Sequence, residues 1–219
     1  MKNDFIKSIP RVMNILERKY PSSKTTLNRM RKNPNAFKIL ISCLLSLRTQ
    51  DVNTEKASRR LFEVADTPEG IISVPIKSLE ELIYSSGHYK KKARTIKHVS
   101  QVLIKKFQGK VPKTREELMS IKGIGPKTAN IVLSFAFGKE VLPIDTHCHR
   151  IPNRLGWIKK KTPEKTEEEL NKILPRKYWR EFNSIFVQFG KTICQPVSPL
   201  CSTCPVNMYC PRIGVKRSR

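Results

Sequence analysis

Acidic residues are scarce in this sequence. Its 219 residues include 18 Asp and Glu against 43 Lys and Arg, a formal net charge of +25. Self-repulsion on that scale is hard to explain without a polyanionic partner. Long apolar runs are missing as well. Nothing approaches the roughly 20 apolar residues of a membrane-spanning helix, and the opening MKNDFIKSIP carries no secretory-signal pattern. A membrane-surface protein is therefore disfavoured, and an intracellular protein bound to nucleic acid is expected. Strand-like alternation, internal repeats and low-complexity tracts are also lacking, which argues against β architectures and solenoids.

What remains is helical. Phe5 to Lys19 has amphipathic spacing ended by Tyr20-Pro21, and the apolar run Ala36 to Leu47 reads as a buried helix. Further helices are expected from Thr54 to Val64, from Leu79 to Ser86 with Ser78 as cap, and from Tyr89 to Phe107. Thr114 and Glu117 have the spacing of a capping box opening a short helix to Ile121. Pro126 to Phe137, Asp145 or Thr146 to Gly156, Thr166 to Leu174, and Trp179 to Ile193 complete the set. The expectation is an all-α protein of roughly ten helices, with prolines mostly between them.

Only 9 glycines occur, and two of them punctuate KGIGPKTAN. Gly123 and Gly125 form a turn that feeds a helix opened by Pro126, a residue whose missing N–H costs nothing in a first turn. Free backbone N–H groups beside the positive end of a helix dipole make an anion site, and in a chain of net charge +25 the anion expected there is a phosphate. Lys127 follows in the first helical turn, the unfavourable end for a cation. Positive potential and partial burial favour its neutral amine, and a neutral amine is a nucleophile able to form a Schiff base. Asp145, eighteen positions on in LPIDTHCHR, is suited to stabilise an oxocarbenium-like sugar or to accept a proton from the amine. Read singly, each feature has an ordinary alternative: a helix–helix turn, a solvated surface lysine, a helix N-cap. His147 and His149 read as packing or phosphate contacts rather than catalysts.

Of six cysteines, four crowd near the end as Cys194, Cys201, Cys204 and Cys210, spaced C-x6-C-x2-C-x5-C. Such crowding points to a metal centre in a reducing compartment rather than to a disulfide framework. Zinc and a [4Fe–4S] cluster both remain open. The spacing favours the cluster, because structural zinc sites usually pair two short C-x2-4-C units and only one occurs here.

Together these motifs resemble the endonuclease III branch of the helix-hairpin-helix (HhH-GPD) DNA glycosylases. The resemblance runs from about Ala36 to Cys210, through LLSLRTQD, KGIGPKTAN, IDTH and the four-cysteine loop. It implies two helical domains flanking a DNA-binding cleft: residues 28–142 as a six-helix domain with the hairpin, and 1–27 plus 143–219 as the cluster domain. It also implies a bifunctional glycosylase and AP lyase of base excision repair, acting as a monomer on duplex DNA with oxidised or ring-saturated pyrimidines or abasic sites. Lys127 falls at the Schiff-base nucleophile and Asp145 at the essential carboxylate. Lys122, Gly123, Gly125 and His147 fall among the DNA contacts, and the four C-terminal cysteines at the [4Fe–4S] ligands. The flipped-out base leaves a hole that many relatives fill with glutamine; the position here is Arg48, with Gln50 two residues on. A second wedge position, often leucine, is His88. Lysines at 90–92 and 159–161 and the tail 216–219 are expected to meet phosphates. Two alternatives stay open, a mismatch glycosylase acting on thymine, uracil or adenine, and a non-catalytic DNA-binding module.

Overall fold

The structure, a computed structural model, describes residues 2–21 and 34–219. The regular elements among these residues are all helices. In chain order they are α1 (Lys2–Lys7), α2 (Ile9–Lys19), α3 (Ala36–Ser46), α4 (Asp51–Val64), α5 (Pro68–Ser73), α6 (Ile76–Leu82), α7 (Tyr89–Phe107), α8 (Arg115–Ser120), α9 (Pro126–Phe137), α10 (Thr146–Arg154), α11 (Pro163–Ile173) and α12 (Trp179–Thr192). Short 3-10 turns lie at Arg176–Tyr178 and Asn207–Tyr209. No helix among the described residues is long and apolar enough to cross a membrane.

Helix starts follow the capping rules. Asn35, Thr67, Thr114, Asp145 and Thr162 each accept a backbone N–H through the side chain, and proline opens α2, α5, α9 and α11. Several expected boundaries move, among them the start of α4, at Asp51 rather than Thr54, and α5 has no counterpart among the expected helices. The first amphipathic segment is two helices, split at Ser8, whose hydroxyl donates to Phe5 O at 2.6 Å. α6 starts at Ile76 behind Pro75, so Ser78 lies inside it. Thr166 is fully buried within α11, which is capped instead by Thr162 ahead of Pro163. One proline also breaks the expected pattern, since Pro152 sits inside α10.

The chain divides into two compact units, Met1–Asn28 with Glu140–Arg219, and Arg29–Lys139. The boundary expected between residues 27 and 28 lies outside the described residues. In the Arg29–Lys139 unit, α3 packs against α4, α7 and α9, and α7 against α5 and α6. α3 buries everything from Ile39 to Leu45, so it is enclosed on all sides as its apolar run requires. In the other unit, Ile9, Val12, Met13 and Leu16 of α2 join Ile151, Phe182, Ile185, Phe186 and Phe189 in one core. Phe182 and Phe186 stack with centroids 4.1 Å apart. Tyr178 ties the two ends of that core together by donating its hydroxyl to Asn14 Oδ1 at 3.0 Å.

Candidate active site

α8, the turn Ile121–Gly125 and α9 form a helix-hairpin-helix in which the two glycines have different reasons to be there. Gly123 has φ +105°, a region side-chained residues avoid, and a Cβ there would stand 2.7 Å from Thr95 Cγ2 on α7. Gly125, the residue ahead of α9, has φ −95° and ψ 175°, which any residue adopts. A Cβ on Gly125 would meet nothing within 4 Å. The chain conformation therefore demands glycine only at 123. Glycine at 125 instead leaves the approach to the α9 N-terminus open. Gly123→Ala is expected to cost about 1–3 kcal/mol of stability together with DNA affinity. Gly125→Ala is expected to stay within about 0.5 kcal/mol of the parent while still weakening DNA binding. Urea unfolding midpoints set beside duplex titrations check the pair, and equal stability losses would contradict the distinction.

Thr114 opens the hairpin less conventionally than its spacing predicts. Its hydroxyl accepts the Glu117 N–H at 3.3 Å, while the Glu117 carboxylate takes the Thr114 O–H at 2.7 Å. Lys122 and Gly125 are exposed, and Lys127 is half-buried in the first turn of α9. Lys127 reaches the apolar interior electrostatically. Burial pushes the Cys43 thiol of α3 up to about 12, and the Lys127 charge works against that rise.

Arg48, Gln50 and His88 are all exposed, on two loops of the same unit. Gln50 precedes α4 and makes no side-chain cap. Arg48 (φ +52°) and His88 (φ +57°) both hold left-handed backbone, which is costly for side-chained residues and persists only where surroundings impose it. The loops touch directly. The Gly87 N–H donates to Thr49 Oγ1 at 3.1 Å, and a Cβ on Gly87 would crowd Arg48 O at 3.3 Å.

The lysine run 90–92 requires a correction. Lys90 and Lys91 are exposed, but Lys92 is 7% exposed and turned inward, so it is no phosphate contact. Desolvation lowers its pKa to about 8. The helical period explains this, since Lys92 shares a face with buried Ala93 and Ile96 and only its partners make burial tolerable. In the run 159–161, Lys160 is paired with Glu169 at 3.2 Å.

In the other unit, Asp145 caps α10. Its Oδ1 accepts the N–H groups of His147 at 2.9 Å and Cys148 at 2.8 Å. The same helix carries two arginines that the sequence reading did not single out. Arg150 Nη2 donates to Cys194 O at 2.7 Å and lies 3.2 Å from His147 Nδ1. Burial lowers the Arg150 pKa, with the charges of Cys194 and Asp145 opposing that. Arg154, 8% exposed, donates to Gln195 O at 2.6 Å, Pro196 O at 2.7 Å and Cys194 Sγ at 3.5 Å. The imidazole of His147 packs on Gly190 of α12 so closely that a Cβ there would collide with it. That contact accounts for a glycine in a helix interior, normally about 1 kcal/mol worse than alanine. His149 Nδ1 lies 2.7 Å from Thr166 Oγ1, a packing role.

Cys194, Cys201, Cys204 and Cys210 are free, partly exposed thiols lining one pocket with Ile151, Leu155, Phe189 and Val206. Among the described residues no three His, Cys, Asp or Glu side chains are gathered as a metal site. The donor set nevertheless suits a cationic metal core. Burial and then the neighbouring sulfurs push the Cys210 thiol up to about 11, and Cys204 rises for the same reasons. Thiolates crowded in this way repel one another, and a bound cation would offset that repulsion. N–H donors already face two of them, from Arg154 to Cys194 and from Arg212 N to Cys210 at 3.4 Å, as the sulfurs of iron–sulfur centres require.

A family model described as HhH-GPD superfamily base excision DNA repair protein matches residues 41–176. Endonuclease III of Thermotoga maritima is 48% identical over 182 residues, which cover 83% of this chain and 85% of that protein. A solved structure of a trapped endonuclease III–DNA covalent intermediate with an estranged adenine superposes with a TM-score of 0.85 at 34% identity, covering 94% of this chain and 96% of its own. A non-covalent endonuclease III–DNA complex gives 0.86 at 35% identity, with 94% and 95% covered.

Proposed function

Because the chain belongs to the HhH-GPD superfamily of base excision DNA repair proteins, in its endonuclease III family, we propose that it removes oxidised or ring-saturated pyrimidines from duplex DNA and then cuts the strand at the abasic site. It is a DNA glycosylase with AP lyase activity. The observation that carries the residue-level reading is Lys127 in the first turn of α9, directly behind a hairpin whose Gly125 leaves the helix end open.

The mechanism follows from these groups. The hairpin N–H groups hold a backbone phosphate at the positive end of α9. The damaged nucleotide is extruded at a cost of a few kcal/mol, smaller for a lesion than for a sound pair. The Lys127 amine attacks C1′ as the C1′–N bond breaks, and the base leaves with that electron pair and takes up a proton. Asp145 stabilises the positive charge on the sugar and accepts the proton shed by the amine. The nitrogen lone pair then expels O4′, which takes up a proton as the sugar ring opens. The resulting iminium acidifies C2′–H, so that loss of that proton expels the 3′ phosphate by β-elimination. Water then releases Lys127. Arg48 and His88 fill the space left by the extruded base, and Gln50 and Lys122 contact the flanking DNA.

Cys194, Cys201, Cys204 and Cys210 would hold a [4Fe–4S] cluster, and their thiolates would fasten the loop 194–210 to it. Arg150 and Arg154 anchor the start of that loop on the helix capped by Asp145. Purified protein should be brown, with broad visible absorption and about four irons per chain. Colourless protein with one zinc would overturn the assignment.

Borohydride trapping tests the function. Duplexes containing thymine glycol, 5-hydroxycytosine or an abasic site should yield a covalent adduct. No adduct with any of them sinks the reading. Trapping on uracil or a thymine mismatch alone would move the specificity to mismatched pyrimidines.

A further inference from the structure

The buried ammonium of Lys92 joins the two loops that carry Arg48 and His88. Its Nζ donates to Leu45 O at 2.7 Å, Thr49 Oγ1 at 2.8 Å and Ser86 Oγ at 2.8 Å. An ammonium has three N–H donors, and each finds one acceptor. The acceptors come from both sides: Leu45 and Thr49 bracket Arg48, and Ser86 precedes Gly87 and His88. The remaining bonds close the same knot. Ser86 Oγ donates to Leu45 O at 2.9 Å, and Thr49 Oγ1 also receives Gly87 N–H at 3.1 Å.

Geometry around the knot shows what it holds. Arg48 and His88 hold strained left-handed backbone, and neither side chain is buried. Their exposed side chains give the core little hold on the two conformations, and bonds flanking them brace both, together with the Thr49 N–H to Ser46 O turn bond at 3.1 Å across Arg48. A solvated lysine loses this position by one step along α7, since Lys91 is exposed and Lys92 is not. Burying an ammonium among apolar groups is unfavourable unless its donors are satisfied, and the desolvated state of this one lies behind its lowered pKa. The three partners outweigh that cost only while both loops keep their present conformation.

We propose that Lys92 is a positioning residue of the base-excision reaction: it locks the Leu45–Thr49 and Ser86–His88 loops together, so that Arg48 and His88 stand ready to fill the space of an extruded nucleotide. The proposal rests on the gap-filling reading of Arg48 and His88. It separates two steps. Base removal from a duplex needs the gap filled, whereas β-elimination at an abasic site in single-stranded DNA has no opposite strand and no gap.

Lys92→Met keeps the length and apolar stem of the side chain and removes the three donors. On duplex DNA with thymine glycol, kcat/KM for base release should fall at least about tenfold, and discrimination between opposite bases should flatten. Schiff-base trapping on single-stranded abasic DNA should stay within about twofold of the parent. Lys92→Arg, which keeps charge and donors, should recover part of the duplex activity. The double variant Arg48→Ala/His88→Ala provides the decisive background: there, adding Lys92→Met should change duplex kcat/KM less than about twofold. A full additional loss in that background overturns the proposal, as does a parallel loss on single-stranded abasic DNA or no loss anywhere. If Arg48→Ala/His88→Ala itself matches the parent on duplex DNA, the gap-filling reading fails and takes this proposal with it.

Discussion

Lys127→Ala should eliminate the borohydride-trapped adduct on every substrate and lower strand cleavage at abasic sites by at least about a thousandfold. Removing a covalent nucleophile commonly costs that much or more, because groups that act as a unit lose their function together. The same substitution should leave the protein as stable as before, or slightly more so. Alanine is the best helix former, and the change takes a cation from the positive end of α9, where it is unfavourable by roughly 0.3–1 kcal/mol. Activity and stability thus move in opposite directions, which a folding defect cannot do. Gel analysis of trapped adducts, paired with urea unfolding, measures both. An adduct that survives would transfer the Schiff base to another amine.

Asp145→Asn should lower single-turnover base release on the order of a hundred- to a thousandfold, the scale on which charge stabilisation of a transition state is lost. Asparagine serves the cap as well as aspartate does. Its Oδ1 can accept the same two N–H groups, from His147 and Cys148, that Asp145 Oδ1 now accepts. Stability should therefore change by less than about 1 kcal/mol, the part due to losing an anion at a helix N-terminus. Asp145→Ala removes the two bonds as well and should be less stable than Asp145→Asn. If Asp145→Asn turns over like the parent, the residue is only a cap.

The local signals in the sequence were those that depend on near neighbours. Pro126 behind Gly125, Asp145 ahead of THCHR and the mostly apolar run of α3 each fix a helix through contacts a few residues apart. The four-residue offset in α11 has the same local origin: Pro163 demands the first turn, so Thr162 caps and Thr166 becomes interior. Long-range partnerships were not legible. Lys92 sits in a lysine run that reads as a solvated face, and its role depends on Leu45, Thr49 and Ser86, up to 47 positions away. Arg150 and Arg154 blend into a basic chain until their donors are seen to end on Cys194, Gln195 and Pro196. The two glycines of the hairpin are identical in sequence, and only φ and the neighbouring Thr95 distinguish them.

One consequence concerns the order of synthesis. The apolar face of α2, made of Ile9, Val12, Met13 and Leu16, is covered by residues from Leu142 onward. A growing chain therefore exposes that face on the ribosome until more than a hundred further residues have emerged. The α3, α7 and α9 helices meet one another well before then, since all three lie in Arg29–Lys139. Domains commonly fold in sequence during translation. Nascent chains halted when Lys139 has just cleared the ribosomal tunnel should accordingly resist protease through α7 while being cut within α2. Equal protection of the two helices would show that the early helix has found a temporary cover of its own.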